Sequence, residues 1–248
     1  MSTVLPEEYR AAVKQLRQLR AELKQASDPK RAKAVARYFK TGPGDYGEGD
    51  QFYGISMPAL RAIAKRYRDL HAVGISTLLN SHLHEERMMA LIVMVYQFVH
   101  GDTAKQQHIY GIYRAEFEFI NNWDLVDTSA PQIIGGYLFD KNDRWQMLHQ
   151  MAKSRNLWER RIGVLATFYF IDQGQFDDSL KLTELLLHDK HDLIHKAVGW
   201  MLREIGKRSE STLKEFLDKH ATQMPRTMLR YAIEKLSLVE RQQYLRKV

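Results

Sequence analysis

The chain has 248 residues, 44% hydrophobic and 27% charged, a balance that suits a folded globular protein and excludes a disordered one. It contains no cysteine, which rules out disulfides, cysteine-ligated zinc and iron–sulfur clusters. The net charge is +7, and residues 1–70 hold fourteen Lys/Arg against eight Asp/Glu, so +6 of it lies in this segment. Such a field rewards a polyanion, and it is equally what a solvated helix face carries.

In chain order, the N-terminal MSTVLPEEYRAAVKQLRQLR passes directly into an amphipathic pattern, so no secretory signal is expected. Tyr9, Val13, Leu16, Leu19 and Leu23 follow three- and four-residue steps and predict a first helix. DPKRAKAVARYFK predicts a second, with Asp28 as N-cap and Pro29 at the first helical position. TGPGDYGEGDQFYG (41–54), with five glycines and a proline, must be an irregular loop. SMPALRAIAKRYRDL repeats the capped pattern from Ser56. HLHEER (82–87) reads as a helix start with Glu85 and Glu86 suiting the dipole. The longest apolar run follows it, MMALIVMVY (88–96), and is far short of the roughly 20 residues that span a bilayer. No membrane association is expected.

NNWDLVD opens the next helix, capped by Asn121 or Asn122, with Trp123 and Asp127 four apart and therefore on one face. Asp124, in the first turn, reads as a structural carboxylate and Asp127 as a chemical one. Pro131 cannot donate to the carbonyl of Asp127 and predicts a kink or break. NLWERRIGVLATFYF and DLIHKAVGWMLREIG are further helices. His188, His191 and His195 have a spacing that could ligate a metal, but surface and capping roles are the expectation, and no metal is expected. No stretch alternates as a half-buried strand would.

Aligning the later helices on their charged residues sets Arg87, Asp127, Arg161 and Lys196 in register, at steps of 40, 34 and 35 residues. That period predicts an all-α fold: an α-solenoid of HEAT-like helical repeats with a concave basic groove, one domain over residues 1–248. The four residues would then lie along one groove. Trp158, three before Arg161, and Trp200, four after Lys196, can border it.

No nucleophile elbow, phosphate loop or dinucleotide fingerprint is present. Aromatics, one placed carboxylate and many cations suit a reaction whose leaving group needs no acid and whose transition state is positive. Hydrolysis of the N-glycosidic bond to a cationic, N-alkylated purine is such a reaction, with the carboxylate and ring faces stabilising an oxocarbenium-like sugar.

NNWDLVD (121–127), NLWERRIGVL (156–165) and IHKAVGWMLREIGK (194–207), in this order and spacing, resemble the AlkD-type DNA alkylation repair proteins. The similarity runs from KAVARYFK (33–40) to MPRTMLRYAIEKL (224–236). The resemblance implies a HEAT-like solenoid that clamps duplex DNA and excises positively charged N3- and N7-alkylated purines without metal or cofactor. It also implies excision without drawing the base into a pocket, contrary to the general rule. Carried over by residue, it makes Trp123 and Trp200 the cleft tryptophans, Asp127 the catalytic carboxylate and Arg161 the cleft arginine. Tyr38 and Arg203 fall near the DNA backbone, with Lys40, Arg87, Trp158 and Lys196 as further DNA contacts. A cytoplasmic, nucleoid-associated monomer is expected. One departure is the long, acidic 41–54 loop, whose Asp45, Glu48 and Asp50 would repel phosphate unless they point away. The alternative is a non-catalytic repeat scaffold that binds nucleic acid or protein.

Overall fold

The computed structural model describes residues 7–246. Residues 1–6 and 247–248, which the expected domain includes, lie outside the described residues. Among the described residues there is no strand, only one isolated parallel bridge between Gln51 and Leu83. The chain is all-α and built of HEAT-like helical repeats. Where the sequence reading draws a single domain, two compact units divide the chain, 1–129 and 130–248.

The first unit contains α1 (Glu7–Gln25), α2 (Pro29–Tyr38), α3 (Met57–Arg66), α4 (Ala72–Leu79), α5 (His84–His100), α6 (Thr103–Ala115) and α7 (Trp123–Ala130), whose last residue crosses the boundary. Helix α5 lies against α3, α4 and α6, and α1 lies against α3 and α4. The caps are the expected ones. Asp28 accepts the amides of Lys30 and Arg31, and Ser56 accepts that of Ala59. Helix α1 buries Ala12, Leu19 and Leu23, the inward part of its apolar face.

The second unit begins with a π-helical turn, Pro131–Gly135, and continues through α8 (Gly136–Leu138), α9 (Arg144–Ala152), α10 (Leu157–Asp172), α11 (Asp177–Leu186), α12 (Asp192–Arg208), α13 (Glu210–His220), α14 (Arg226–Ala232) and α15 (Leu238–Arg246). Helix α10 packs on the π turn, α9, α11 and α12, and α12 packs on α11, α13 and α14. In both units the contacts run mainly between helices close in sequence, the pattern of stacked repeats. Asp127, Arg161 and Lys196 are each the fifth residue of their helix, and Arg87 is the fourth of its own.

Pro131 does not break the helix. Ala130 and Gly136 both keep φ −60° and ψ −40°, and the amide of Gly136 reaches the Pro131 carbonyl five residues back. A proline removes one i→i−4 bond and crowds the carbonyl it would have reached, and a wider turn accommodates both defects without leaving the helix.

That turn also brings backbones close. A Cβ on Gly135 would meet the Ala166 carbonyl oxygen at 2.2 Å and the Tyr169 Cβ at 2.7 Å. Gly111, inside α6, has nothing within 4 Å of such a Cβ. Gly135→Ala should therefore destabilise the chain by about 1–3 kcal/mol through overpacking. Gly111→Ala should stabilise it by roughly 0.5–1 kcal/mol through helix propensity. Urea midpoints of the two variants, moving in opposite directions, are the check.

Candidate functional site

Helix α5 is apolar on nearly every side, and twelve of its residues are buried, His84, Glu85, Glu86 and Arg87 among them. Four consecutive charged residues thus enter the interior in its first turn. A buried charge without a partner costs several kcal/mol, so each must be answered. Glu86 takes a bidentate pair from Arg20 of α1 (3.1 and 2.8 Å) and the Tyr53 hydroxyl (3.2 Å). Glu85 accepts the backbone amides of Tyr53, Gly54 and Ile55 at 2.9, 2.7 and 3.1 Å. Arg87 donates to Asp50 (2.6 Å) and to the Ser81 carbonyl (2.8 Å).

His84 completes the set. Its Nδ1 lies 3.0 Å from Asp50 and its Nε2 lies 2.8 Å from Asp124. Burial works against a charged imidazole, but the hydrogen bonds to Asp124 and Asp50 outweigh it and push the pKa up to about 9. The ring is therefore an imidazolium that donates from both nitrogens. Burial likewise opposes ionisation of Asp50, yet His84 and Arg87 hold its carboxyl below the usual range. Phe39 and Phe52 each stand 4.9 Å from the His84 ring, which adds cation–π attraction.

This cluster fixes the start of α7. Asp124 bonds His84 with one oxygen and the Leu125 amide with the other (2.9 Å). Asn122 is fully buried, accepts from the Trp123 amide (2.8 Å) and donates to Asp50 (3.3 Å). The Trp123 indole stacks on Phe39 (5.2 Å, 20°) and meets Tyr38 edge-on (5.9 Å, 74°). Trp123 and Asp127 are both half-buried and one turn apart. Below them the Tyr113 hydroxyl joins Ser129 at 2.8 Å, and burial, together with the nearby Asp127 charge, raises its pKa well above the ordinary phenol value. Tyr38 is 68% exposed, and Lys40 beside it takes a left-handed φ of 52°.

The placements revise several expectations. Arg87, expected among the DNA-contacting cations, is 3% exposed because the apolar helix carrying it draws it inward to Asp50. Trp158, expected to border a groove, is 8% exposed and belongs to the α10 core. Arg161 is 4% exposed, and its guanidinium donates to the Leu193 carbonyl at the start of α12 (2.5 Å). Lys196 pairs with Asp192 at 2.8 Å. Trp200 is half-buried, donates from its indole N–H to Glu204 (3.1 Å) and lies 5.8 Å from Phe168. Burial opposes the charge on Glu204, but Lys207, Trp200 and Arg208 hold its carboxyl below the ordinary range. Arg203 pairs with Glu234. The acids of the 41–54 loop are turned to its own needs. Asp50 is internal, Asp45 accepts the Gly42 amide and Glu48 accepts the Gly44 amide. His191 caps α12, and no cluster of metal-binding side chains occurs among the described residues. No helix among them is long and apolar enough to cross a membrane.

The His84 arrangement sets a pH dependence. Its pKa is raised on folding, so the stabilisation is complete below the unfolded value near 6.5 and is lost as pH rises through 9. The loss amounts to roughly 3 kcal/mol. Urea denaturation at pH 6 and 9.5 should show it in the native chain, and His84→Gln should remove that pH-dependent component. Equal pH dependence in both proteins would contradict the assignment.

A sequence profile of the DNA alkylation repair enzyme family matches residues 19–236. Among solved structures, a chain described as "Predicted DNA alkylation repair enzyme from Enterococcus faecalis" superposes with a TM-score of 0.66 at 15% identity, covering 86% of this chain and 97% of that one. At that identity the likeness speaks for the fold. No curated protein matches the sequence. The profile spans most of the chain, and the residues of the resemblance stand on the expected helices. The chain belongs to the DNA alkylation repair enzyme family.

Proposed function

We propose that the chain is an alkylpurine DNA glycosylase that hydrolyses the N-glycosidic bond of positively charged N3- and N7-alkylated purines in duplex DNA, acting as a monomer. The observation that carries this reading is the pairing of Trp123 and Asp127, one turn apart and half-buried, on a helix start fixed by His84 and Asn122. The family supports a role in repair of alkylated DNA, and the resemblance supplies the reaction.

The alkylated base already carries positive charge, so the C1′–N bond breaks with its electron pair going to the purine, which leaves neutral. The sugar becomes an oxocarbenium ion, and the Asp127 carboxylate and the Trp123 ring face stabilise it. Water adds to C1′ and gives its proton to Asp127 or to solvent, leaving a free base and an abasic site. The base stays in the duplex throughout, as the resemblance implies. In the same reading Tyr38 and Lys40 of the first unit hold the backbone, where contacts position without reading sequence; Trp200, Lys196 and Arg203 are the DNA contacts the reading gives the second unit. The chemistry asks for no metal or cofactor.

Release of 7-methylguanine and 3-methyladenine from methylated duplex tests the proposal. Wild type should release both well above the spontaneous rate. Asp127→Asn should lose at least about 10²-fold in release while keeping most of its duplex affinity. Binding without release by the wild type would establish a non-catalytic scaffold instead.

A further inference from the structure

Helix α2 is unburied and basic along its whole length. None of its ten residues is buried, it carries Lys30, Arg31, Lys33 and Arg37, and it has no acid of its own. Several cations elsewhere are answered by carboxylates: Arg20 by Glu86, Arg66 by Glu22, Lys207 by Glu204, Lys214 by Glu210. Among the described residues Lys30, Arg31 and Arg37 make no ion pair. Lys30 and Arg31 also occupy the first turn, where the helix dipole disfavours cations and the Asp28 N-cap is the acid that offsets it.

The four outward residues around Ala34 form a patch. Lys30 and Arg31 lie one turn before it, and Arg37 and the 68%-exposed Tyr38 one turn after it, at spacings of three and four that share a face. Ala34, itself exposed, leaves the centre flat. From Lys30 to Arg37 the helix rises about 10 Å, the axial run of about three phosphates on one strand. The patch is also held in place. The Asp28 amide donates to the Tyr53 carbonyl at 2.8 Å, and Gly54, at φ 80°, brings its backbone so close that a Cβ would meet the Ala32 amide nitrogen at 2.6 Å. The same segment is clamped by Glu85. At its C-terminal end Tyr38 touches Trp123.

We infer that Lys30, Arg31 and Arg37 of α2, grouped around Ala34 beside Tyr38, form a track for the phosphate backbone of duplex DNA flanking the site at Trp123. This rests on the reading of the chain as a DNA glycosylase. Tyr38, exposed at one end and in contact with Trp123, joins the track to the site proposed to take DNA. Lys33, three after Lys30 and four before Arg37, lines the other edge of the track.

The test is the salt dependence of binding to a short undamaged duplex by the full chain. Each lost phosphate contact lowers the slope of log K against log salt by about 0.9, so the triple variant Lys30→Gln, Arg31→Gln, Arg37→Gln should be less steep by about 2.7. Lys105→Gln, on α6, should keep the wild-type slope, and so should a Lys30→Arg, Arg37→Lys variant, which keeps every charge. An unchanged slope in the triple variant overturns the track, as does an equal loss in Lys105→Gln. Loss of binding to phosphatidylserine vesicles with no change on DNA overturns it in favour of a membrane. Base release by the wild type is scored in parallel. Release with an unchanged triple-variant slope removes the track alone, and a changed slope without release removes the glycosylase reading alone.

Discussion

Burying four charged residues in succession, His84 to Arg87, is the constraint around which the first unit is arranged. The apolar run after them drives α5 into the core, and its first turn follows. Each charge must then be met or the unit does not hold. The partners come from four separate segments: Arg20 from α1, three amides of the 53–55 segment, Asp50 from the glycine-rich loop and Asp124 from α7. In the inner cluster two carboxylates face two cations, so the charges cancel locally and the hydrogen bonds set the geometry.

The consequence reaches the surface through α7. Asp124 and Asn122 are tied to the cluster by their side chains, and Trp123 leans on Phe39, which itself stacks on the second aromatic wall of His84. A helix start held from beneath leaves Trp123 and Asp127 little freedom, the condition under which a carboxylate can be preorganised for a developing positive charge. The 41–54 loop gains a function here. Its glycines turn the chain so that Asp50 reaches inward, and Gly47 sits so close to the Phe39 carbonyl that a Cβ would lie 2.7 Å from it.

Legibility in the sequence followed distance along the chain. The caps at Asp28 and Ser56 were readable because their partners lie within three residues. The helical repeats were readable because apolar periodicity recurs, and Asp127, Arg161 and Lys196 do share a helix position. The HEER turn is legible only for its dipole, since its partners, apart from the Ser81 carbonyl six residues off, lie between 30 and 66 residues away. One signal could have exposed it: charges that open a helix apolar on all sides must be buried with it. The same burial takes Arg87 away from the groove that its register suggests. Asp124 was read as structural, but through the dipole and not through His84. Pro131 was expected to break or kink the helix, and the π turn that absorbs it depends on packing against α10, which local sequence does not encode.

The central claim is that the buried charges of α5 hold α7 in place. Amide hydrogen exchange in His84→Gln at neutral pH tests this most directly. The account predicts that α7 amides from Val126 onward lose protection while those of Met89 to Met94, deep in α5, keep theirs. Unchanged protection along α7 would contradict it.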